Sequence, residues 1–166
     1  DLQGLIIETL DKLQTILGTN YSLQELHTFS HLSVIDRIDC TNSHHVGSLQ
    51  NALSAIRALE QCGHLRHRGA GQMFSDTTVY FGKSSRRWAL KIYAKGAELK
   101  KHKLPGTLPF RDSIIKHSQD LIRTEFVFRQ LWLKDMGLHK VSAWDENTVQ
   151  ELHQENIEKL EITGQI

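Results

Sequence analysis

Apolar residues recur every three or four positions in two segments of the chain, the spacing that lines one face of an α-helix. In the first segment the stripe consists of Ile6, Leu10, Leu13 and Leu17. In the second it consists of Leu49, Leu53, Ile56 and Leu59. Gly18 ends the first predicted helix, whereas Ser48 can cap the second and Gly63 ends it. Shorter helices are predicted over 22–29, 94–102, 111–120, 130–136 and 147–160.

Apolar and polar residues alternate in four other segments, the pattern of β-strands with one buried side. These segments are 32–41, 77–81, 88–93 and 122–129. The second and third are joined by a turn over 82–87 and predict a hairpin, while residues 64–75 are expected to form a loop. Strands and helices mixed in this way predict the α+β class, with a largely antiparallel sheet and helices packed on one of its faces.

The same alternation gathers polar side chains on the opposite face of the sheet. If the strands pair in one sheet, the side chains that project together are Arg37, Asp39, Thr41, Lys91, Tyr93, Arg123 and Glu125. We call this set the polar face, and we expect any chemistry to take place there.

Composition limits the class of protein. With 166 residues, of which 39% are hydrophobic, the chain can bury one core of ordinary size and is expected to form one domain. It has no uncharged apolar stretch of membrane-spanning length and no basic-then-apolar leader, so we expect a soluble intracellular protein. Cys40 and Cys62 do not form a disulfide framework or a thiolate zinc pattern. Because the first residue is Asp1 and not Met, we expect a domain excised from a longer protein.

Basic residues are concentrated in one part of the chain although the formal net charge is only +1. From Lys83 to Lys103 a single acid, Glu98, opposes Lys83, Arg86, Arg87, Lys91, Lys95, Lys100, Lys101 and Lys103. Such a stripe can neutralise DNA phosphates, and a solvated charged surface is the alternative. The Gly82-Lys-Ser-Ser turn lacks the spacing of a nucleotide-binding phosphate loop, so a hairpin tip aimed at DNA phosphates is our interpretation.

A tyrosine and two acids on one face suit phosphodiester chemistry. Carboxylates can hold a hard divalent cation, the cation polarises the phosphodiester, and the phenol oxygen attacks phosphorus. Lys91 and Lys95 flank Tyr93, and their positive charge is expected to favour its phenolate and to bind the scissile phosphate. A packing role is the alternative for Tyr93, since strand tyrosines usually pack.

The acids have alternative roles as well. Asp39 can form a salt bridge with Arg37, and Glu125 can pair with Arg123 or Arg129. Glu98 either completes a metal site or supports the positive N-terminal end of its helix.

The order of several short motifs resembles that of the gene II/X-type replication proteins of filamentous phages. The motifs are Arg37-Ile-Asp39, the segments 77–86 (TTVYFGKSSR) and 90–99 (LKIYAKGAEL), Arg123-Thr-Glu125 and Gly137-Leu138. The resemblance covers about residues 33–138, most of the chain. Ala94 stands where some relatives carry an acid, so a role for that acid is not transferred.

The resemblance implies that Tyr93 nicks the plus strand at a replication origin through a covalent 5′-phosphotyrosine. The free 3′-hydroxyl primes rolling-circle synthesis and a later 3′-hydroxyl reseals the circle. Asp39 and Glu125 match recurrent acids of the family and, with Glu98, are expected to bind Mg²⁺ or Mn²⁺. Lys95 is the candidate for stabilising the pentacovalent phosphate or protonating the leaving oxygen. The residues expected to bind DNA are Lys83, Ser85, Arg86, Arg87, Lys91, Arg37 and Arg123.

The sequence therefore predicts a metal-dependent, origin-specific nicking and rejoining enzyme of the bacterial cytoplasm. Its expected partners are phage or plasmid origin DNA and a host helicase. We expect a helical lead-in over 1–30, a motif-bearing core over 32–138 and a C-terminal helix over 145–160. Two alternatives stay open: a non-catalytic DNA-binding domain derived from such an initiator, and a metal nuclease that uses water as its nucleophile.

Overall fold

Eight β-strands lie within the described residues, 2–145 and 147–162, of this computed structural model. They are β1 (Arg37–His45), β2 (Gly63–Leu65), β3 (Gly69–Ala70), β4 (Gln72–Phe74), β5 (Thr78–Phe81), β6 (Trp88–Ala94), β7 (Leu121–Arg129) and β8 (Leu160–Ile162). Five of them form an antiparallel sheet in the order β1-β7-β6-β5-β4, and the order β3-β2-β8 describes a second, small sheet. The predicted antiparallel sheet is confirmed.

Seven α-helices and a short 3₁₀ helix (Val141–Ala143) accompany the strands in the same described residues. The α-helices are α1 (Leu2–Leu17), α2 (Leu23–Leu32), α3 (Leu49–Cys62), α4 (Lys95–Lys101), α5 (Arg111–Ser118), α6 (Gln130–Asp135) and α7 (Thr148–Ile157). Together with the sheet they confirm the predicted α+β class. None of these helices is long and apolar enough to cross a membrane.

Local signals in the sequence fix where the early helices begin and end. α1 stops before Gly18, whose φ of 68° lies in the left-handed region that glycine adopts without a Cβ penalty. At α2 the Ser22 hydroxyl accepts the Glu25 amide hydrogen at 3.3 Å, and the Glu25 carboxylate accepts a hydrogen bond from the Ser22 amide in return. The Ser48 hydroxyl accepts the Asn51 amide hydrogen at 3.0 Å and caps α3.

Helices cover one face of the five-stranded sheet, as predicted. α3 packs against β5, β6 and β7, and its Ala52 and Ile56 are fully buried there. α7 packs against β1, and its His153 lies 2.7 Å from the Thr124 hydroxyl of β7. The core between these layers contains Cys40, Val79, Phe81, Leu90, Ile92, Phe126 and Phe128, all buried. The opposite face carries the polar side chains of β1, β6 and β7, together with the small or apolar Ala89 and Val127.

Three parts of the secondary-structure prediction were wrong. α2 continues to Leu32 and β1 begins only at Arg37, because Arg37 pairs with Arg129, the last residue of β7, and before Arg37 the only strand-type pairing of the described residues is an isolated bridge between Val34 and Lys140. The predicted loop over 64–75 contains β3 and β4 and most of β2. The last predicted helix ends at Ile157, and β8 follows it because it pairs with β2.

Candidate active site

The strand register brings the predicted polar side chains together on one face. Glu125 of β7 lies between Thr41 of β1 and Lys91 of β6, and Tyr93 lies opposite Arg123. Because side chains alternate along a strand, the shared face carries Arg37, Asp39, Thr41, Lys91, Tyr93, Arg123 and Glu125. The polar face predicted from the alternation is confirmed.

Glu125 is hydrogen-bonded to both neighbouring side chains of β6. The Tyr93 hydroxyl donates to Glu125 Oε1 at 2.5 Å, and Lys91 Nζ donates to Glu125 Oε2 at 2.9 Å. Lys91 Nζ also lies 3.9 Å from the centroid of the Tyr93 ring, and Lys95 Nζ lies 5.7 Å from it. A phenol, a carboxylate and an ammonium are therefore in direct contact.

Tyr93 is almost completely buried, although it belongs to the polar face. Only 2% of it is exposed, because Lys91 covers its ring. Burial raises the pKa of Tyr93 above its ordinary value, and the hydrogen bond to Glu125 and the charges of Glu125 and Glu98 raise it further, while Arg123 opposes them. Against the expectation that the flanking lysines favour the phenolate, the pKa of Tyr93 is raised in this state of the site, because burial and the two carboxylates disfavour the charged form.

The other predicted acids each hold a cation of their own. Asp39 accepts two hydrogen bonds from Arg37, at 2.8 and 2.7 Å, and Glu98 is paired with Lys95. Asp39 raises the pKa of Arg37, and the charge of Glu125 adds to that effect, so this pair lies within electrostatic reach of Glu125. Within residues 2–145 and 147–162, no group of three or more acids, histidines or cysteines lies close enough together to hold a metal ion.

The Arg37–Asp39 salt bridge that the sequence left as an alternative is therefore present. Glu125 pairs with Lys91, and not with Arg123 or Arg129. Arg123 instead donates to the Ser43 hydroxyl at 3.0 Å, which fixes its guanidinium beside β1.

In the 82–87 turn, two basic residues contact other side chains and a third is exposed to solvent without a partner among the described residues. Arg87 is paired with Asp135, and Lys83 Nζ lies 4.0 Å from the centroid of the Phe74 ring. The Ser85 hydroxyl accepts the Arg87 amide hydrogen at 3.2 Å, so it braces the turn. Arg86 is exposed and has no ion pair or side-chain hydrogen bond with any residue that the structure describes. DNA binding by this turn stays a prediction.

A pocket of about 150 Å³ opens beside Tyr93. It is lined by Phe74, Ser75, Thr77, Thr78, Tyr80, Lys91, Tyr93, Glu98, Lys101 and His102. Sequence reasoning missed Phe74, because it lay in a segment expected to be a loop. An isolated aromatic residue beside a glycine-rich stretch was the signal that could have drawn attention to it.

Comparison with known proteins gives two findings. The family of the N-terminal part of the phage gene II replication-associated protein matches residues 1–147. Over 169 residues the chain is 27% identical to the replication-associated protein of that type from Enterobacteria phage I2-2, an alignment that covers 99% of this chain and 48% of that relative. The chain thus spans about half the length of the curated relative. No solved structure matches it.

Proposed function

Because this chain belongs to the family of the N-terminal part of the phage gene II replication-associated protein, we propose that it nicks and rejoins single DNA strands at a phage origin and thereby initiates rolling-circle replication. The observation that carries the proposal is the contact of the Tyr93 hydroxyl with Glu125 and of Glu125 with Lys91. It supports the proposal because a carboxylate that can accept the phenol proton and a cation that can bind a phosphate lie beside the tyrosine that matches the family motif.

In the proposed reaction the Tyr93 oxygen attacks the phosphorus of a phosphodiester. A bond forms between that oxygen and phosphorus, and the bond from phosphorus to the 3′-oxygen breaks, which leaves a 5′-phosphotyrosine and a 3′-hydroxyl. Glu125 Oε1, the acceptor of the Tyr93 hydrogen bond, takes the phenol proton. Lys95, which is held by Glu98 beside the ring, gives a proton to the departing 3′-oxygen. The reverse steps rejoin the strand.

Through Lys91, the binding of a DNA phosphate would make Glu125 a better acceptor for the phenol proton. Its ammonium is held by Glu125 Oε2 and covers the Tyr93 ring. A DNA phosphate that binds Lys91 draws that ammonium away from Glu125 and uncovers the ring. The carboxylate then loses a competing cation and becomes a better acceptor for the phenol proton.

Mg²⁺ or Mn²⁺ is part of the proposal. Glu125 accepts the hydrogen bond of the Tyr93 hydroxyl and Glu98 lines the same pocket as Tyr93, so two hard oxygen donors of the kind these ions prefer lie near the phenol. Glu125 and Glu98 would hold the ion, with Asp39 as the third predicted ligand. These acids form no ready cluster in the described residues and are paired with Lys91, Lys95 and Arg37, so they would exchange those partners for the ion. When bound, the ion would supply positive charge that polarises the phosphodiester.

The test is incubation of the chain with Mn²⁺ and supercoiled DNA that carries a filamentous-phage origin. Denaturing electrophoresis then separates free DNA from DNA with covalently attached protein. We expect an adduct with the unaltered chain and none with Tyr93→Phe. Tyr21→Phe, which alters a tyrosine between α1 and α2, should keep the adduct. Nicking without an adduct would favour the water-using nuclease and overturn the proposed mechanism.

The burial of Tyr93 and the pairing of all three acids favour a second candidate, a DNA-binding domain without catalysis. Such a domain would bind DNA equally well with and without divalent ions and would show only the salt dependence of phosphate neutralisation. A folded chain that binds origin DNA but forms neither nicks nor adducts would support this candidate.

A further inference from the structure

Phe74 and Tyr80 form a pair of aromatic rings at the edge of the polar face, which we call the aromatic platform. Their ring centroids are 6.1 Å apart and their planes are nearly perpendicular, at 83°. Phe74 belongs to the edge strand β4 and is 52% exposed. A large, exposed apolar ring that the core does not use, at the edge of a face that carries charged side chains, is a candidate binding surface.

The register places the aromatic platform near Tyr93. Phe74 pairs with Thr78, and Thr78 pairs with Tyr93, so the three residues form one row across three strands. Neighbouring strands are about 4.8 Å apart, which puts Phe74 roughly 10 Å from Tyr93 along this row. Both rings of the platform also line the pocket that opens beside Tyr93.

Lysines lie around the aromatic platform, and Glu98 is the one acid among the described residues that line the adjoining pocket. Lys83 Nζ lies 4.0 Å from the Phe74 centroid and 5.1 Å from the Tyr80 centroid. Lys91 and Lys101 line the adjoining pocket, and Lys101 Nζ donates to the Ser75 carbonyl at 3.3 Å. Aromatic faces combined with cations that can follow a phosphate backbone are the features by which proteins bind single-stranded nucleic acid.

The turn that follows Phe74 is conformationally strained. Ser75 and Asp76 have φ values of 50° and 53°, in the left-handed region that residues with a Cβ seldom adopt. Such strain collects at functional sites because the surrounding structure holds it there. Here the two residues lie in the turn that joins β4 to β5 and so presents Phe74 beside the pocket.

We propose that the aromatic platform stacks an unpaired nucleobase of single-stranded DNA, next to the phosphate that Tyr93 attacks. The position of that phosphate rests on the proposed function, whereas the stacking rests on Phe74, Tyr80 and Lys83. Lys83 leaves the ring face and binds a phosphate of the stacked nucleotide. Because a base inside a duplex has both faces covered by its neighbours, the platform selects a strand that is already unpaired.

The test compares two fluorescent probes by anisotropy: a twelve-nucleotide oligothymidylate and an abasic strand of the same length and charge. We expect the unaltered chain to bind the base-bearing probe about fivefold or more tightly than the abasic one, the lower end of what stacking one base on an aromatic ring provides. Phe74→Leu should lose that preference and Phe74→Trp should keep it. Phe110→Leu is the matched control, because Phe110 is 82% exposed and lies outside the polar face.

Two results would overturn the proposal: equal affinity of the unaltered chain for both probes, or a Phe74→Leu variant that keeps the full preference. The adduct assay with origin DNA is run on the same samples. A base preference that depends on Phe74 without any adduct would sink the nicking mechanism and leave the platform as a single-strand binding site. An adduct without this preference would sink the platform alone.

Discussion

At the scale of single residues, Glu125 has two simultaneous contacts that impose different demands on its charge. The phenol of Tyr93 uses Oε1 as an acceptor, and the ammonium of Lys91 occupies Oε2. A carboxamide would occupy nearly the same space but would carry no charge and accept a proton poorly. The substitution Glu125→Gln therefore removes the charge of this residue while keeping its shape, and so separates its chemical role from its packing.

We expect Glu125→Gln to lower the rate of adduct formation by about 10²- to 10⁴-fold, the usual contribution of a general base. Single-stranded DNA binding should change little, because the cations of the polar face are kept. The pKa of Tyr93 should fall towards its ordinary value, since two of the effects that raise it come from Glu125. Rapid-quench adduct assays and ultraviolet titration, with Tyr93→Phe as the reference, measure the two effects. An unchanged adduct rate would exclude Glu125 as the proton acceptor.

The membership of the polar face was predictable from sequence, because alternation in β1, β6 and β7 needs only a period of two. The contacts within it were not. Lys91 could meet Glu125 only through the register of two strands about thirty residues apart, and the burial of Tyr93 depends on where Lys91 lies. The spacing of residues along the chain predicts neither the Lys91–Glu125 contact nor the burial of Tyr93. The direction expected for the shift of the Tyr93 pKa was therefore wrong.

At the scale of elements, α4 carries Lys95 and Glu98 to the site, and its position depends on one close approach. Gly96 is buried in the first turn of α4. A Cβ added there would lie 2.7 Å from the Gln119 carbonyl oxygen and 2.8 Å from its Cα, which are backbone atoms that cannot rotate away. Only glycine lets α4 lie this close to the end of α5.

We expect Gly96→Ala to lower the free energy of unfolding by about 1–3 kcal/mol, the usual cost of overpacking, and to move Lys95 and Glu98 away from Tyr93. Gly106→Ala is the matched control, because a Cβ there would meet no atom within 4 Å. It should be neutral or slightly stabilising, since alanine restricts the unfolded chain. Urea unfolding of both variants measures the difference, and equal stabilities would contradict the close approach.

Long, strongly periodic elements were the predictable ones. α1, α3, β6 and β7 have clear stripes or alternation, and the first two also have a glycine stop. The strands β2, β3, β4 and β8 are only two or three residues long and exist because a neighbouring strand provides their hydrogen-bond partners. No period can be read in so few residues, so the edge strand that holds Phe74 was expected to be loop.

At the scale of the whole molecule, the two faces of the main sheet differ in charge although the total is only +1. The polar face carries three cations, Arg37, Lys91 and Arg123, against the two acids Asp39 and Glu125, and the 82–87 turn beside it adds further basic residues. The opposite side is covered by α7, where Glu151 and Glu155 line the surface. A polyanion would therefore be attracted to the side of the polar face and repelled from the other, which would orient the DNA of the proposed function before any specific contact forms.

Arg86 tests this orientation, because it is exposed and no other described residue neutralises it. A plot of the logarithm of affinity against the logarithm of salt concentration has a negative slope. We expect Arg86→Gln to reduce the magnitude of that slope by about 0.7 for single-stranded DNA, the value for one lost phosphate contact. Arg57→Gln, which removes an exposed arginine of α3 on the helix-covered side, should leave the slope unchanged. Anisotropy titrations at several salt concentrations measure both. Equal slopes for the two variants would place the DNA elsewhere.

The strand order has a consequence for how the site is assembled during folding. The Tyr93–Glu125 contact joins residues 32 positions apart, whereas the Arg123–Ser43 contact between β7 and β1 joins residues 80 positions apart. Closing the longer loop costs about 0.8 kcal/mol more chain entropy, so the β6–β7 pairing is expected to precede the addition of β1. Until β1 adds, the outer edge of β7 is an open template for any extended strand. The Tyr93–Glu125 contact is thus expected to form early, and β1, the strand that carries Asp39, then covers an edge of β7 that would otherwise pair with other chains.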